Sequence, residues 1–423
     1  MVLPAQIDPA VKYNADSPEL SVITQIRPIS TINGSNRLQF VIPRSTDMAI
    51  DLSATRLGVV FSVTKEDSTF PVIPPGKSIG TINDQLSSLF PYLNISINSE
   101  QVVSCTNNHI LSFLMRQFNH SAEYRKSILY SVGFEEASPG EEGDPAGASF
   151  QALAARIEKG RKNHLVGHLT HPFFSSSPKL FPPNTELSIT LTMANADLFL
   201  ISSVDDKLKI NLHDCYLMIR MIKLESSIVS VLQESLIKNP YIYPYKHTTL
   251  KVYQLAKGEG SFTAHNVHYG NIPSRLIMCM IPTSAFLGTL SSSPFKFVHN
   301  KLIDHKIYYN SVALPLTKIN YEMDTEATEL FEYVVNEMKL NTGAVTPGLT
   351  YAKYISDGFF IAQNLINNTS VSSNTVPYSA GNLSIELSFK TNLTENTSLV
   401  VLSEFGKSFI SIDRFGSVKT HEY

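Results

Sequence analysis

Along most of the chain, apolar and polar residues alternate one by one. "NRLQFVIP" (residues 36–43), "MAIDLS" (48–53), "LNISINSEQVV" (93–103) and "LSITLTM" (187–193) all carry this period of two. It is the spacing at which a strand buries one face and wets the other. "RLGVVFSVTK" (56–65) and "DCYLMIRMIKL" (214–224) are longer runs rich in β-branched, aromatic and other apolar residues, and they also read as strands. From Tyr241 the pattern begins again, with "TLKVYQL", "RLIMCMIP", "FKFVHNKLIDHKIYYNSVAL", "LSIELSF", "SLVVLSEF" and "SFISID". Many short strands separated by Gly, Pro and Asn turns predict an all-β sandwich architecture.

The period changes to that of a helix in four places. "HILSFLMRQF" (109–118) sets Ile110, Leu111, Leu114 and Phe118 on one side. "ATELFEYVVNEMKL" (327–340) does the same, with Asp324 or Thr325 as its N-cap. "SIVSVLQESLIK" (227–238) ends before Pro240, and "FQALAARIEK" (150–159) is a fourth helix. The stretch before this last one, "EEASPGEEGDPAGA" (135–148), is acidic and rich in Gly and Pro. It reads as an exposed, mobile loop.

Four pairs of segments recur in the same order in the two halves. "RLGVVFSV" from Arg56 is like "RLIMCMIP" from Arg275, and "ISINSEQVV" (95–103) is like "IYYNSVAL" (307–314), each with Asn-Ser between strands. The helix at His109 corresponds to the helix near Thr328, and "LSITLTM" from Leu187 corresponds to "LSIELSF" from Leu383. In the last pair Leu and Ile point inward, and the residues between them, including Thr190 and Glu386, face out. One alternating strand resembles another by chance, but four pairs in order favour duplication over two unrelated sandwiches. The expected fold is two tandem eight-stranded antiparallel jelly rolls with a few short loop helices. The expected division is an N-terminal arm (1–30), a first roll (31–226), a connecting helix and linker (227–240) and a second roll (241–423).

Composition narrows the function classes. Apolar residues make up 43% of the 423, enough for a substantial core, while charged residues reach only 17%. The surface is therefore largely Ser, Thr and Asn, as in broad interfaces and in plain all-β proteins. A net charge of −3 with dispersed Lys and Arg builds no basic field, so sequence-specific nucleic-acid binding is not expected. The densest basic run, "EKGRKNH" (158–164), reads as a solvated loop or helix end. Cys105, Cys215 and Cys279 are odd in number, widely spaced and set among apolar residues. They read as buried free thiols of a reducing compartment. The first residues lack the pattern of a signal peptide, and no apolar run reaches the length of a membrane span. Synthesis in the cytosol or nucleus, without secretion, is the expectation.

The candidate chemistry is thin. "HLVGHLTH" places His164, His168 and His171 at metal-binding helical intervals, but Gly167 and Pro172 oppose a helix there. His265 and His268 read as structural residues on one strand face. "KGEGS" (257–261) lacks the strand and helix of a phosphate loop. The adjacent pairs Asp205-Asp206 and Glu141-Glu142 do not converge as an acid and base would. No catalytic, cofactor-binding or metal-binding residue is assigned, and no enzyme activity or cofactor is expected.

Several segments resemble one family. They are "SLFPYLNISINSEQVV" (88–103), "LIKNPYIYPY" (236–245), "NIPSRLIMCMIPTSAFLGTLSSSPFKFVHN" (271–300), "YISDGFFIAQNL" (354–365) and "GNLSIELSF" with "SLVVLSEFGKSFISIDRFGSV" (381–418). Together they resemble the double jelly-roll major capsid proteins of Maverick/Polinton elements and adintoviruses, and the turn–strand–Ser-Pro-Phe-x-Phe order is the most specific part. The resemblance runs from about Ser30 onward. It implies a structural protein of the virion capsid, made in the host cytoplasm and assembled there or in the nucleus. It implies a homotrimer that forms a pseudo-hexagonal tile in the icosahedral shell of a double-stranded DNA virus or virus-like transposon. The implied partners are the chain itself, neighbouring capsomers and a penton or minor capsid protein, with no membrane span. Residues 135–184 are implied to form the loop at the top of the capsomer, and the Pro-containing, weakly periodic character of the arm leads to the expectation that it bridges neighbours inside the shell. The alternatives are a minor capsid or vertex protein, or a glycan-binding jelly roll. The latter class favours exposed Trp, of which this chain has none, although it has 18 Tyr.

Overall fold

The computed structural model describes residues 20–32, 36–67, 69–70, 77–175, 177, 179–204, 207–315, 327–338, 349–365, 380–406 and 408–422. Its strands repeat one topology. The first roll is built from β1 (Leu20–Ile26), β2 (Arg37–Ile42), β3 (Met48–Lys65), β4 (Tyr92–Ile97), β5 (Glu100–Cys105), β6 (Asn163–His168), β7 (Leu187–Thr192) and β8 (Leu208–Lys223). They form two antiparallel sheets, in the orders β1-β8-β3-β6 and β2-β7-β4-β5. Helix α1 (Asn108–Asn119) and helix α2 (Ala148–Ile157) lie between β5 and β6. Helix α3 (Ser226–Lys238) leads to β9 (Tyr241–Tyr245).

The second roll follows with β10 (Thr248–Leu255), β11 (Ser261–Asn271), β12 (Arg275–Pro282), β13 (Leu302–Tyr309), β14 (Val312–Leu314), β15 (Ile361–Asn364), β16 (Ala380–Phe389) and β17 (Thr397–Glu404). The sheet orders are β10-β17-β12-β15 and β11-β16-β13-β14. Each of these eight strands thus has its counterpart nine numbers later, with the same neighbours, while the short two-stranded sheet of Ile79–Thr81 and Leu200–Ser202 has none among the described residues. Helices α4 (Thr328–Glu337) and α5 (Tyr351–Ser356) lie between β14 and β15, the same place in the topology as α1 and α2. This is the double jelly-roll fold, in which each pair of sheets closes on one apolar core.

The paired sequence segments fall on equivalent elements. Arg56 and Arg275 stand on β3 and β12, each the third strand of its roll. The two Asn-Ser pairs make the β4–β5 and β13–β14 turns. Both central residues have left-handed φ in each copy, 48° and 73° at Asn98 and Ser99, 47° and 70° at Asn310 and Ser311. That is the type I′ geometry whose twist matches a two-residue hairpin. Each Asn does the same second job. Asn98 Oδ1 accepts the Glu186 N–H at 2.9 Å, and Asn310 Oδ1 accepts the Asn382 N–H at 2.9 Å. Glu186 and Asn382 immediately precede the two Leu-Ser-Ile segments, so each turn is tied to the same point of β7 or β16.

Some expectations need correction. Leu20–Ile26 was expected in the arm, but it is the edge strand of the first roll, paired with Leu217–Lys223. It is short and largely exposed, so its own pattern is weak and its partner strand fixes it. Thr190 is buried, whereas Glu386 is half-buried. Thr190 sits on a central strand between Gln39 and Asn94, whose longer side chains cover a short neighbour. The acidic stretch 135–148 is neither wholly exposed nor loose, for reasons given below. Residues 1–19, Asp205-Asp206, Asp324 and Thr325 lie outside the described residues.

The two cores merge into one buried cluster that runs through both rolls. A separate three-stranded sheet helps to join them. Strands β18 (Ser408–Ile412) and β19 (Val418–Glu422) add to β9 in the order β9-β18-β19. Tyr243 of β9 is fully buried against Phe173 and Phe181 of the first roll. Its neighbour Tyr241 donates its hydroxyl to the Leu180 carbonyl at 2.7 Å.

Candidate functional site

The most elaborate chemistry in the molecule lies where the rolls meet. Helix α1 occupies that joint. Every residue from Asn108 to Arg116 is buried, so the helix is wrapped by protein on nearly all sides. Phe113 stacks on Phe295 at 4.2 Å between ring centres with planes 7° apart, and it meets Phe297 edge-on at 6.0 Å. Phe118 packs on Phe360 at 4.7 Å. Phe295 and Phe297 are the two rings of the Ser-Pro-Phe-x-Phe segment. The sequence feature that marks the family resemblance is therefore the second roll's aromatic half of the joint. Each such ring contributes about 1.5–3 kcal/mol by leaving water, and the stacked pair adds directional preference.

Close backbone approach completes this contact. Gly288 has φ of 103°, and a Cβ there would lie 3.1 Å from the backbone of Leu198 in the first roll. The Ser202 N–H reaches the Leu290 carbonyl at 2.8 Å. "LGTL" is thus a place where only glycine suits both the conformation and the gap.

Beneath the aromatic layer runs a line of buried ion pairs. Arg116 of α1 forms an ion pair with Asp84, Nε to Oδ2 at 3.0 Å, and donates from Nη2 to Thr170 Oγ1 at 2.9 Å. Burial pushes the Asp84 carboxyl up, and the Arg116 charge pulls it back. Arg125 grips Glu136 with two nitrogens, at 2.6 and 3.2 Å, and donates to the carbonyls of Gln117 and His120. Arg156 of α2 bonds Glu135 at 3.0 Å while lying over the Tyr130 ring at 3.8 Å. These partners explain why residues 135–148 do not behave as a solvated acidic loop. Its first two carboxylates are neutralised by arginines of adjoining helical segments, and a fork of two bonds also fixes orientation.

The fourth acidic residue of that stretch, Glu142, reaches the other roll through its backbone. Glu142 is buried, and its backbone N–H donates to Asp357 Oδ2 at 3.0 Å. Lys353 of α5 bonds Asp357 at 3.2 Å and the Ala137 carbonyl at 3.3 Å. Asn83 Nδ2 lies 3.4 Å from the Glu142 carboxyl and donates to the Glu135 carbonyl at 2.6 Å. The matching β5–β6 and β14–β15 connections of the two rolls therefore meet in one polar node.

The residues considered for chemistry do not converge. His164 and His168 lie on β6, and His171 follows it. His164 Nε2 is 3.1 Å from the Tyr216 hydroxyl, while His171 is buried and accepts the Phe173 N–H at 3.2 Å. Burial pushes His171 down to about 3. His265 is exposed and His268 is buried, so the two do not share a face. A bulge between Ala264 and His268, with Asn266 at φ 53°, breaks the alternation. Residues 257–260 join β10 to β11, which belong to different sheets. Cys105, Cys215 and Cys279 are free and buried, and burial raises all three thiols, Cys105 to about 11. Among the described residues, no three His, Cys, Asp or Glu side chains form a metal-binding group. No described helix is long and apolar enough to cross a membrane. Sequence reading missed the joint because its parts are far apart in the chain. The one available signal was the second aromatic pair in "SPFKF".

No protein-family profile matches the chain. An uncharacterised Caenorhabditis elegans protein, F54H12.2, is 20% identical over 302 residues, 68% of this chain and 69% of its own length. A chain of the Sputnik virophage is similar in structure, with a TM-score of 0.65 and 14% identity, over 100% of this chain and 93% of its own. The mavirus major capsid protein has a TM-score of 0.57 at 14% identity, over 100% and 95%. The faustovirus major capsid protein has 0.56 at 8% identity, over 95% and 90%. Identities this low speak for the fold, and they cover both rolls and not just one. The chain has the double jelly-roll fold seen in these viral proteins.

Proposed function

We propose that the chain is the major capsid protein of a Maverick/Polinton- or adintovirus-like double-stranded DNA element, and that three copies form its capsomer. One observation carries this reading: a single chain holds the same eight-stranded topology twice, locked by a buried joint. A trimer of such chains has six similar rolls, hence nearly sixfold edges that tile with like neighbours. Residues 31–226 and 241–423 are assigned as the rolls, with β1 extending the first one back to Leu20. Residues 227–240 are the connector and the residues before β1 the arm. A penton or minor capsid protein closes the vertices. The role is structural and not enzymatic.

Light scattering on purified protein should give three times the 46.9 kDa chain mass, and electron microscopy should show hexagonal tiles or closed shells. A monomer that persists at high concentration and never tiles would sink the proposal. Specific retention on a glycan array by such a monomer would move the assignment to a glycan-binding module.

A further inference from the structure

The polar node at the joint has one ammonium for two buried carboxyls. Asp357 is 1% exposed and is fully engaged: Lys353 at 3.2 Å, the Glu142 N–H at 3.0 Å and the Ser356 hydroxyl at 3.2 Å. Glu142 is 6% exposed, and Asn83 Nδ2 touches its carboxyl at 3.4 Å. The other charged groups around it are committed or turned to solvent. Glu136 is held by Arg125, Glu135 by Arg156 and Asp84 by Arg116. On its own loop Glu141 is half-buried and Asp144 exposed, and from the second roll Lys296 is exposed. Two ionised carboxylates here would leave one negative charge uncompensated in a dry contact, a costly arrangement.

We propose that the joint binds one proton, carried on Glu142, and that its loss loosens the contact between the two rolls. Burial, reinforced by Asp357 and opposed by Lys353, pushes the Glu142 carboxyl up to about 7 from its ordinary 4.5. The sign follows from linkage. A carboxyl raised in the folded state holds its proton more tightly there than in the unfolded chain. Its contribution is complete below about 4.5 and is lost as pH rises through about 7. Buried histidines such as His109, pushed down to about 4, act the opposite way, since the unfolded chain takes up protons below the ordinary value of 6.5. The proton on Glu142 is therefore read locally, at the joint, and not from whole-protein melting alone.

The test is hydrogen exchange by mass spectrometry on the full chain and on Glu142→Gln, between pH 6 and 8.5, with rates corrected for intrinsic exchange. In the native chain, opening of peptides around 137–144 and 351–358 should rise on the order of tenfold across this range. Peptides over the Asn98 and Asn310 turns should stay level. In Glu142→Gln, which keeps the shape and the acceptor for Asn83, the rise should vanish. An equal rise in the variant, or none in the native chain, overturns the proposal. A second measurement needs no variant. Infrared spectra of a 13C-glutamate-labelled chain should show a protonated carboxyl stretch at pH 6 that disappears by pH 8.5, and its absence at pH 6 is equally fatal. Neither result depends on whether the protein builds a shell.

Discussion

The two rolls share a topology but not a build. In the first, β3 and β8 run 18 and 16 residues, and in the second their counterparts β12 and β17 run 8 each. The missing length has not disappeared. The pairing of β10 with β17 ends at Thr248 and Glu404, and after a short break it resumes as β9 with β18, at Tyr245 and Ser408. The continuous β8 of the first roll thus corresponds to a broken strand in the second, β17 followed by β18. The broken piece swings across to seat Tyr243 on the first roll's aromatic residues. The lesson is that duplication preserved the strand order, while strand ends and connections diverged to make the rolls fit each other. Two identical rolls would have no reason to join in one orientation.

That comparison can be broken most severely through the first roll's buried pair. Asp84→Ala leaves Arg116 buried and unpaired, and should cost about 3–5 kcal/mol in denaturant unfolding. Because Asp84 lies in the first roll, a loss confined to that roll would split the transition in two. Phe113→Ala removes the ring that stacks on Phe295 and should cost about 3–4 kcal/mol. It acts on the joint, so the two rolls should then melt separately, visible as two calorimetric peaks. If both variants lower a single peak equally, the joint is not what couples the rolls.

A finer test uses the equivalent turns. Asn98→Ala and Asn310→Ala both replace Asn, which tolerates left-handed φ, with a residue less suited to it, and remove one bond to β7 or β16, about 2 kcal/mol together. Asn98 also donates from Nδ2 to the Gly416 carbonyl at 2.8 Å. Its replacement should therefore cost about 1 kcal/mol more, measured by chemical denaturation side by side. Glycine at either site should recover the backbone part. The smallest effect belongs to α3, which has no buried residue and exposes Val231 and Ile237. Val231→Lys should change the thermal stability of the isolated chain by less than about 0.5 kcal/mol. A larger drop would show that the connector packs more closely than its exposure indicates.

Much of the architecture was legible because period-two alternation is forced wherever one face of a sheet is buried. The Leu-Ser-Ile strands are visible for that reason, the helix at His109 by its change to a helical period and the turns by their Asn-Ser pairs, and their shared order reveals the duplication. What the pattern could not carry was pairing across distance. β1 is held by a partner some two hundred residues later along the chain, and its own exposed residues say little. Residues 135–148 looked solvated because a row of carboxylates normally is. Only the positions of Arg125, Arg156 and Lys353, remote or on other elements, turn them inward. Helix α1 looked like a surface helix with one apolar side. Nothing in its own sequence shows that a second roll covers the other side.

The bond from Asn98 to Gly416 has a mechanical meaning. It fastens the turn between β18 and β19, late in the chain, to a hairpin formed early in it, so the second half is tucked under the first. Tension on the C-terminal strand meets that stitch before it reaches either sandwich. The β18–β19 pairs lie in line with such a pull, from Ser408 with Glu422 to Ile412 with Val418, and the stitch is the next contact along the chain. Among the described residues, a pull applied at Glu422 is expected to load this hairpin before either sandwich.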